Sequence, residues 1–215
     1  MGSSRAKQQR VARRAKIDEM RRAAAARDRR VRVITWSASL VIVSGIAAGA
    51  WYYVEKREGE REAEARAAAA PVRGEKSWEK LSRNHVQTTV DYKMSPAVGG
   101  DHDPAWMNCN GDVYDREIKE GNAVHALEHG AVWVTYNDSA SSKDIAGLGA
   151  RVRMTPYSLM SPYKEQASPI TFSAWGKQLN VRSASDPRVE KFLAKYVQGK
   201  QTPEPGAACT GGKTV

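Results

Sequence analysis

Apolar and polar positions divide this chain into blocks with different periods. From Val33 to Val54, "VITWSASLVIVSGIAAGAWYYV" runs without a charge. At 1.5 Å per residue this is a helix of about 33 Å, enough to cross a hydrocarbon core of roughly 30 Å. Trp36 at one end and Trp51, Tyr52 and Tyr53 at the other match the aromatic belts of the two headgroup levels. The run is too long for the apolar part of a cleaved leader. "EKREGEREAEAR" follows it in place of a small-residue cleavage pattern. The pattern predicts a transmembrane helix over 33–54.

Next comes a block of helix formers, Glu55 to Ala70, with Pro71 as its breaker. It predicts a helical stalk over 55–74. The period then changes. "HVQTTVDY" alternates like a strand, "AVWVTY" is a β-branched apolar run, and "PITFSAWG" repeats that character. "SSKDIAGLGARV" opens on a capping pattern and predicts a short helix. In "SDPRVEKFLAKYVQG", Asp186 caps, Pro187 suits the first turn, and Val189, Phe192, Leu193, Tyr196 and Val197 form one stripe. Between Asp91 and Glu120, Gly, Pro, Asp and Asn predict a long loop, a common place for function on a small scaffold. The fold expected is α+β: one membrane helix with a stalk, then a small mixed α/β domain with a few-stranded sheet over 75–199. A Pro/Gly-rich tail, 200–215, ends the chain.

Charge orients this arrangement. The net charge is +10, and residues 1–32 hold 12 Lys/Arg against 3 Asp/Glu, so the basicity belongs to one tail. By the positive-inside bias, this tail stays cytoplasmic and everything after Val54 lies outside the cell membrane. The anionic lipid surface is then its partner, and no nucleic acid is needed to explain it. Gly45 and Gly49, four residues apart in the apolar run, would let two anchors self-associate closely.

An extracytoplasmic position changes the reading of the cysteines. Cys109 and Cys209 are the only two, and on the oxidising side they favour a disulfide that ties the tail to the domain. Two free thiols, or Cys109 as a metal ligand beside Met107, are the alternatives.

All four histidines, His85, His102, His125 and His129, follow the apolar run. In "NAVHALEHGAVWV", Asn122 can cap a two-turn helix that ends at Gly130, with His125 and His129 on one face and Glu128 beside them. His-x-x-Glu-His is also the spacing of inverted zinc proteases, with the glutamate as general base. Gly130 and the apolar run after it leave the helix short for that comparison. The reading that uses most residues is a metal site of His102, His125 and His129, completed by Glu128 or Met94. Met94, Met107, Met154 and Met160 with imidazoles would suit copper. Asp101, Asp103 and Glu128 would instead pull towards zinc or a harder ion, or orient the imidazoles from outside the ligand set. Two alternatives stay open: a zinc-dependent hydrolase with Glu128 as base, and a hydrogen-bonded His/Glu knot in an envelope scaffold.

"YKMSPAVGGDHDPAW", "CNGDVYD" and "AVHALEHGAVWVTY" resemble the blocks of an actinobacterial membrane-anchored family known only as domain-of-unknown-function family 3105. The resemblance runs from about Trp78 to Val197. It implies a single anchor, an outer domain of this kind, recurring polar positions at His102, His125, Glu128 and His129, and a direction towards copper supply to respiratory oxidases. The chain departs from the family's pattern at Ala97, where a second proline is usual, and at Asn110, which separates Cys109 from Gly111.

Overall fold

A computed structural model describes the backbone of residues 2–215; the side chains of residues 2–18, 23–24, 38–39, 41–42 and 62–69 lie outside the described set. The chain forms two compact units, Met1–Ala67 and Ala68–Val215.

The first unit is helical. Helix α1 spans Gly2–Ala69 and covers the whole apolar run. Its described apolar side chains, among them Val33, Ile34, Trp36, Leu40, Val43 and Ile46, are exposed. Among the described residues no helix is long and apolar enough to cross a membrane. Part of the expected span, residues 38–39 and 41–42, lies outside the described side chains.

The second unit is a mixed α/β fold on a six-stranded sheet. Its elements are β1 (Lys76–Ser77), β2 (Asn110–Val113), α2 (Glu120–Glu128), β3 (Val132–Tyr136), α3 (Ser142–Arg153), β4 (Ser158–Pro162), β5 (Ile170–Ala174), β6 (Lys177–Val181) and α4 (Pro187–Tyr196). The strand order is β1-β6-β5-β3-β4-β2. β4 runs parallel to both β3 and β2, and the other neighbours are antiparallel. The β3-α3-β4 crossover supplies the parallel pair, as such pairs require. The β5–β6 hairpin turns at Trp175–Gly176. Gly176 has φ +65°, and a Cβ there would come within 2.6 Å of the Trp78 carbonyl, so glycine is needed at this corner.

Side-chain alternation along the central strands divides the interior in two. Val132 and Val134 of β3 and Ile170, Phe172 and Ala174 of β5 point into an apolar core with Leu148 and Val152 of α3 and Val189, Phe192, Leu193 and Tyr196 of α4. Trp133 of β3 and Leu159 of β4 point the other way, against Ala123, Val124, Ala126 and Leu127 of α2 and a wrap of loops. The helix signals act locally as expected. Ser141 accepts from the Asp144 N–H at the start of α3, and Asp186 accepts from the Arg188 N–H at the start of α4.

Three expectations differ from the structure. Among the described residues "HVQTTVDY" makes a single bridge, His85 to His102, and no strand lies beside it. The long loop contains β2, which pairs with β4. Helix α2 begins two residues before Asn122. Asn122 is buried in its first turn, and its side-chain amide donates to the Ala105 carbonyl.

Segment 200–215 belongs to the same compact unit. The Cys109–Cys209 disulfide ties it down. Backbone bonds from Cys109 N–H to the Cys209 carbonyl (2.8 Å) and from Lys213 N–H to the Trp106 carbonyl (2.8 Å) continue the seam.

Candidate metal centre

Helix α2 is the backbone of the site. Its apolar residues face the sheet, and His125 and Glu128, one turn apart, share another side. Its C-terminal carbonyls would be orphans in a buried helix end. The C-terminal strap supplies their donors: Glu204 N–H to the Glu128 carbonyl (3.0 Å), the Gln198 side chain to His129, and Gln198 N–H to Gly130 (2.9 Å). Gly130 turns the chain at φ +94°, where a Cβ would strike the Gln198 side chain.

Two loop histidines join α2. Val86 N–H donates to the His102 carbonyl (2.7 Å) and His102 N–H to the Asn84 carbonyl (3.0 Å). This bridge lays the two segments side by side. The ligand atoms of His85, His102, His125 and Glu128 all lie within 4.8 Å of one another. The His102, His125 and Glu128 side chains are buried, and the His85 side chain is 46% exposed.

The proton inventory of the buried rings indicates what they can do. His102 Nδ1 is 2.8 Å from the Gly100 carbonyl, and His125 Nδ1 is 2.7 Å from the Asp103 carbonyl. A carbonyl only accepts, so each Nδ1 carries a proton, and a ring with that one proton keeps a lone pair on Nε2 for a cation. Burial pushes the His125 imidazole down to about 4, against the raising effect of its Asp103 hydrogen bond. It is therefore neutral at physiological pH.

His102 Nε2 is 2.9 Å from Glu128 Oε2, and neither atom has a hydrogen-bond partner among the described residues. With the ring's single proton held on Nδ1 by the Gly100 carbonyl, Nε2 has none to place between itself and the carboxylate oxygen. Two buried lone pairs held face to face are costly unless a cation lies between them. At metal–ligand bonds of about 2.0–2.2 Å, two donors on one tetrahedral ion sit about 3.3–3.6 Å apart, so a small opening of this pair would admit one. His85 Nε2 is 3.6 Å from the same oxygen.

Of the expected ligands, His102, His125 and Glu128 come together. His129 stands beside the group and outside it. Its Nδ1 donates to the Ala208 carbonyl (2.7 Å), its Nε2 faces Glu204 at 3.9 Å, and its ring meets the His125 ring edge-on at 4.7 Å. Trp106 packs on both of these rings. Met94 is half-buried in the loop just before the Ser95–Pro96 bond, and no hydrogen bond or ring contact of the cluster runs to it. Met107 and Met160 lie in opposite cores, and Met154 is 83% exposed. The methionines thus do not gather. His85 is the member of the cluster that sequence reasoning left out of its ligand set; its only signal was being one of four histidines after the apolar run.

Neither a curated protein nor a solved structure matches the chain. A family described as a protein of unknown function, DUF3105, matches residues 85–211, a stretch that contains all four clustered residues and both cysteines. With more than half its length matched, the chain belongs to the DUF3105 family.

Proposed function

We propose that this protein is a membrane-tethered metal-binding protein. Its outer domain holds one divalent ion of the zinc type on the Nε2 atoms of His85, His102 and His125 and the carboxylate of Glu128. The observation that carries the reading is the buried pair of unpartnered acceptors, His102 Nε2 and Glu128 Oε2, held 2.9 Å apart. Three imidazoles and a carboxylate are a borderline-to-hard donor set, suited to zinc or copper(II). Copper(I) would want the thioethers that lie elsewhere. Glu128 belongs to the ligand set here, which takes away the general base that a His-x-x-Glu-His hydrolase needs and favours metal handling over hydrolysis.

Tethering rests on the charge-free stretch Val33–Val54, on its exposed apolar side chains along α1, and on the Arg-rich segment before it. Apolar residues all round a helix suit lipid. The basic segment would lie on the anionic cytoplasmic leaflet, with the domain outside.

The test is the metal content of the full chain, purified in detergent and offered zinc or copper(II). A single ion per chain is expected. His125→Ala and His102→Ala should weaken binding by more than the roughly 10–100-fold that loss of a supporting outer-shell group costs. Equal retention by wild type and both variants would overturn the metal reading. Extraction of the chain from membranes by carbonate would overturn the tether.

A further inference from the structure

The four groups of the site are not held alike, and the difference falls on one residue. His102 and His125 are buried, with Nδ1 locked by a backbone carbonyl, and Glu128 is buried on α2. His85 is 46% exposed, and among the described residues its Nδ1 has no hydrogen-bond partner. Its Nε2 stands further from the shared carboxylate, 3.6 Å against 2.9 Å. What holds the ring is contact with two other rings, a stack on His125 with centroids 4.6 Å apart and planes 19° from parallel, and an edge contact with His102 at 5.0 Å. Its backbone, by contrast, is fixed on both sides, by the bridge to His102 and by Asn84, which donates twice to Asp101.

A ring loose on a fixed backbone can swing into solvent by side-chain rotation alone, which is fast for an exposed residue. The other three groups need not move. Without His85 the remaining donors are two imidazoles and one carboxylate, a set that by itself retains zinc while leaving a position open.

Building on the metal reading above, we infer that His85 is the exchangeable ligand of the site. The cation enters and leaves through its position, and a histidine of a partner protein takes that place during transfer. In this step the bond from the ion to His85 Nε2 breaks and one to the incoming imidazole nitrogen forms. Both donors are neutral, so charge and oxidation state are unchanged. An imidazole is the donor class that fits, because it replaces His85 like for like. A partner thiol in the compartment proposed for this domain would tend to be oxidised, as the chain's own cysteines are.

Cobalt(II) is the probe, since its visible absorption reports coordination number and donor set. The full-length chain and His85→Ala, His102→Ala and His125→Ala variants are loaded with cobalt(II). They are titrated with free imidazole, and release of the ion to a chelator is timed. His85→Ala is expected to keep the ion, to release it roughly 10–100-fold faster, the range that a lost supporting group costs, and to take up one imidazole with return of the wild-type spectrum. His102→Ala and His125→Ala should lose the ion, and imidazole should not restore it. The inference is overturned if His85→Ala releases the ion at the wild-type rate and ignores imidazole, or if it loses the ion as completely as His125→Ala. A wild-type chain that takes up no cobalt overturns the metal reading itself, a result distinct from either. Circular dichroism of each variant checks that the fold is intact.

Discussion

One sheet serves two different interiors. The face covered by α3 and α4 is closed by regular elements and filled with Val, Leu, Ile and Phe. The face covered by α2 contains His102, His125, Glu128 and His129, all buried, and is closed by loops, a disulfide and a C-terminal strap. The contrast follows from what each face must bury. An apolar stripe finds its place by area alone, whereas polar side chains must each be given a partner. Loops that present carbonyls at chosen points, as Gly100, Asp103 and Ala208 do to three imidazoles, meet that need better than another helix would.

The largest effect should come from the staple on the polar face. Cys109→Ser with Cys209→Ser opens a loop of 100 residues. On the chain-entropy model this costs about 4–5 kcal/mol of stability. Denaturant unfolding measures the total. Hydrogen exchange should place the first loosening in α2, whose last carbonyls the strap satisfies, ahead of α4. Uniform loosening of both helices would show that the two faces are one cooperative unit.

The matching experiment on the apolar face is Phe192→Ala. Phe192 is fully buried, packed against Phe172 and Tyr196, and its truncation should cost about 3–5 kcal/mol. Metal affinity of the folded protein should stay at the wild-type value. A large drop in affinity would mean that the sheet transmits packing changes from one face to the other.

Chelation of the ion reads only the polar face. At free metal about 100 times its dissociation constant, binding contributes about 2.7 kcal/mol, so its removal should lower Tm correspondingly. The increase in exchange should be confined to α2 and to the segments around His85 and His102. No change in Tm on chelation, in a chain shown to bind the ion, would mean that the unfolded chain holds it equally well.

The same division explains what could be read in the sequence. β3, β5, α3 and α4 were legible because their periods come from the apolar face, where pattern and burial agree. β2 (Asn-Gly-Asp-Val), β4 (Ser-Leu-Met-Ser-Pro) and β6 (Lys-Gln-Leu-Asn-Val) carry too few apolar residues to stand out, and it is their neighbours in the sheet that make them strands. The alternation of "HVQTTVDY" imitates a strand that has no such neighbour. On the polar face, His125 and Glu128 were legible through helical spacing. His129 shares that spacing, yet its ring turns to the Ala208 carbonyl of the strap, a contact that local spacing cannot reveal. His85 was hidden for the converse reason, since only the pairing of its backbone with His102 brings it to the site.

The smallest effect at neutral pH, and the only one of the set that grows with acid, separates the faces by titration of the metal-free protein. Burial lowers the His125 imidazole from 6.5 to about 4. Between these values the unfolded chain takes a proton that the folded chain refuses, so stability falls as pH drops from 6.5 to 4 and this loss stops growing below 4. The carboxylates at the starts of α3 and α4 behave in the opposite sense. Hydrogen bonding from Ser141 first holds Asp144 below its usual 3.8, and hydrogen bonding from Arg188 first lowers Asp186 to about 2. Their contribution is present above 3.8 and is lost only as pH falls further. Acid should therefore loosen α2 first and the caps of α3 and α4 later, in two separate windows of a stability profile. His125→Gln should flatten the upper window and leave the lower one in place. A single window that this substitution leaves unchanged would mean that the proton is refused elsewhere.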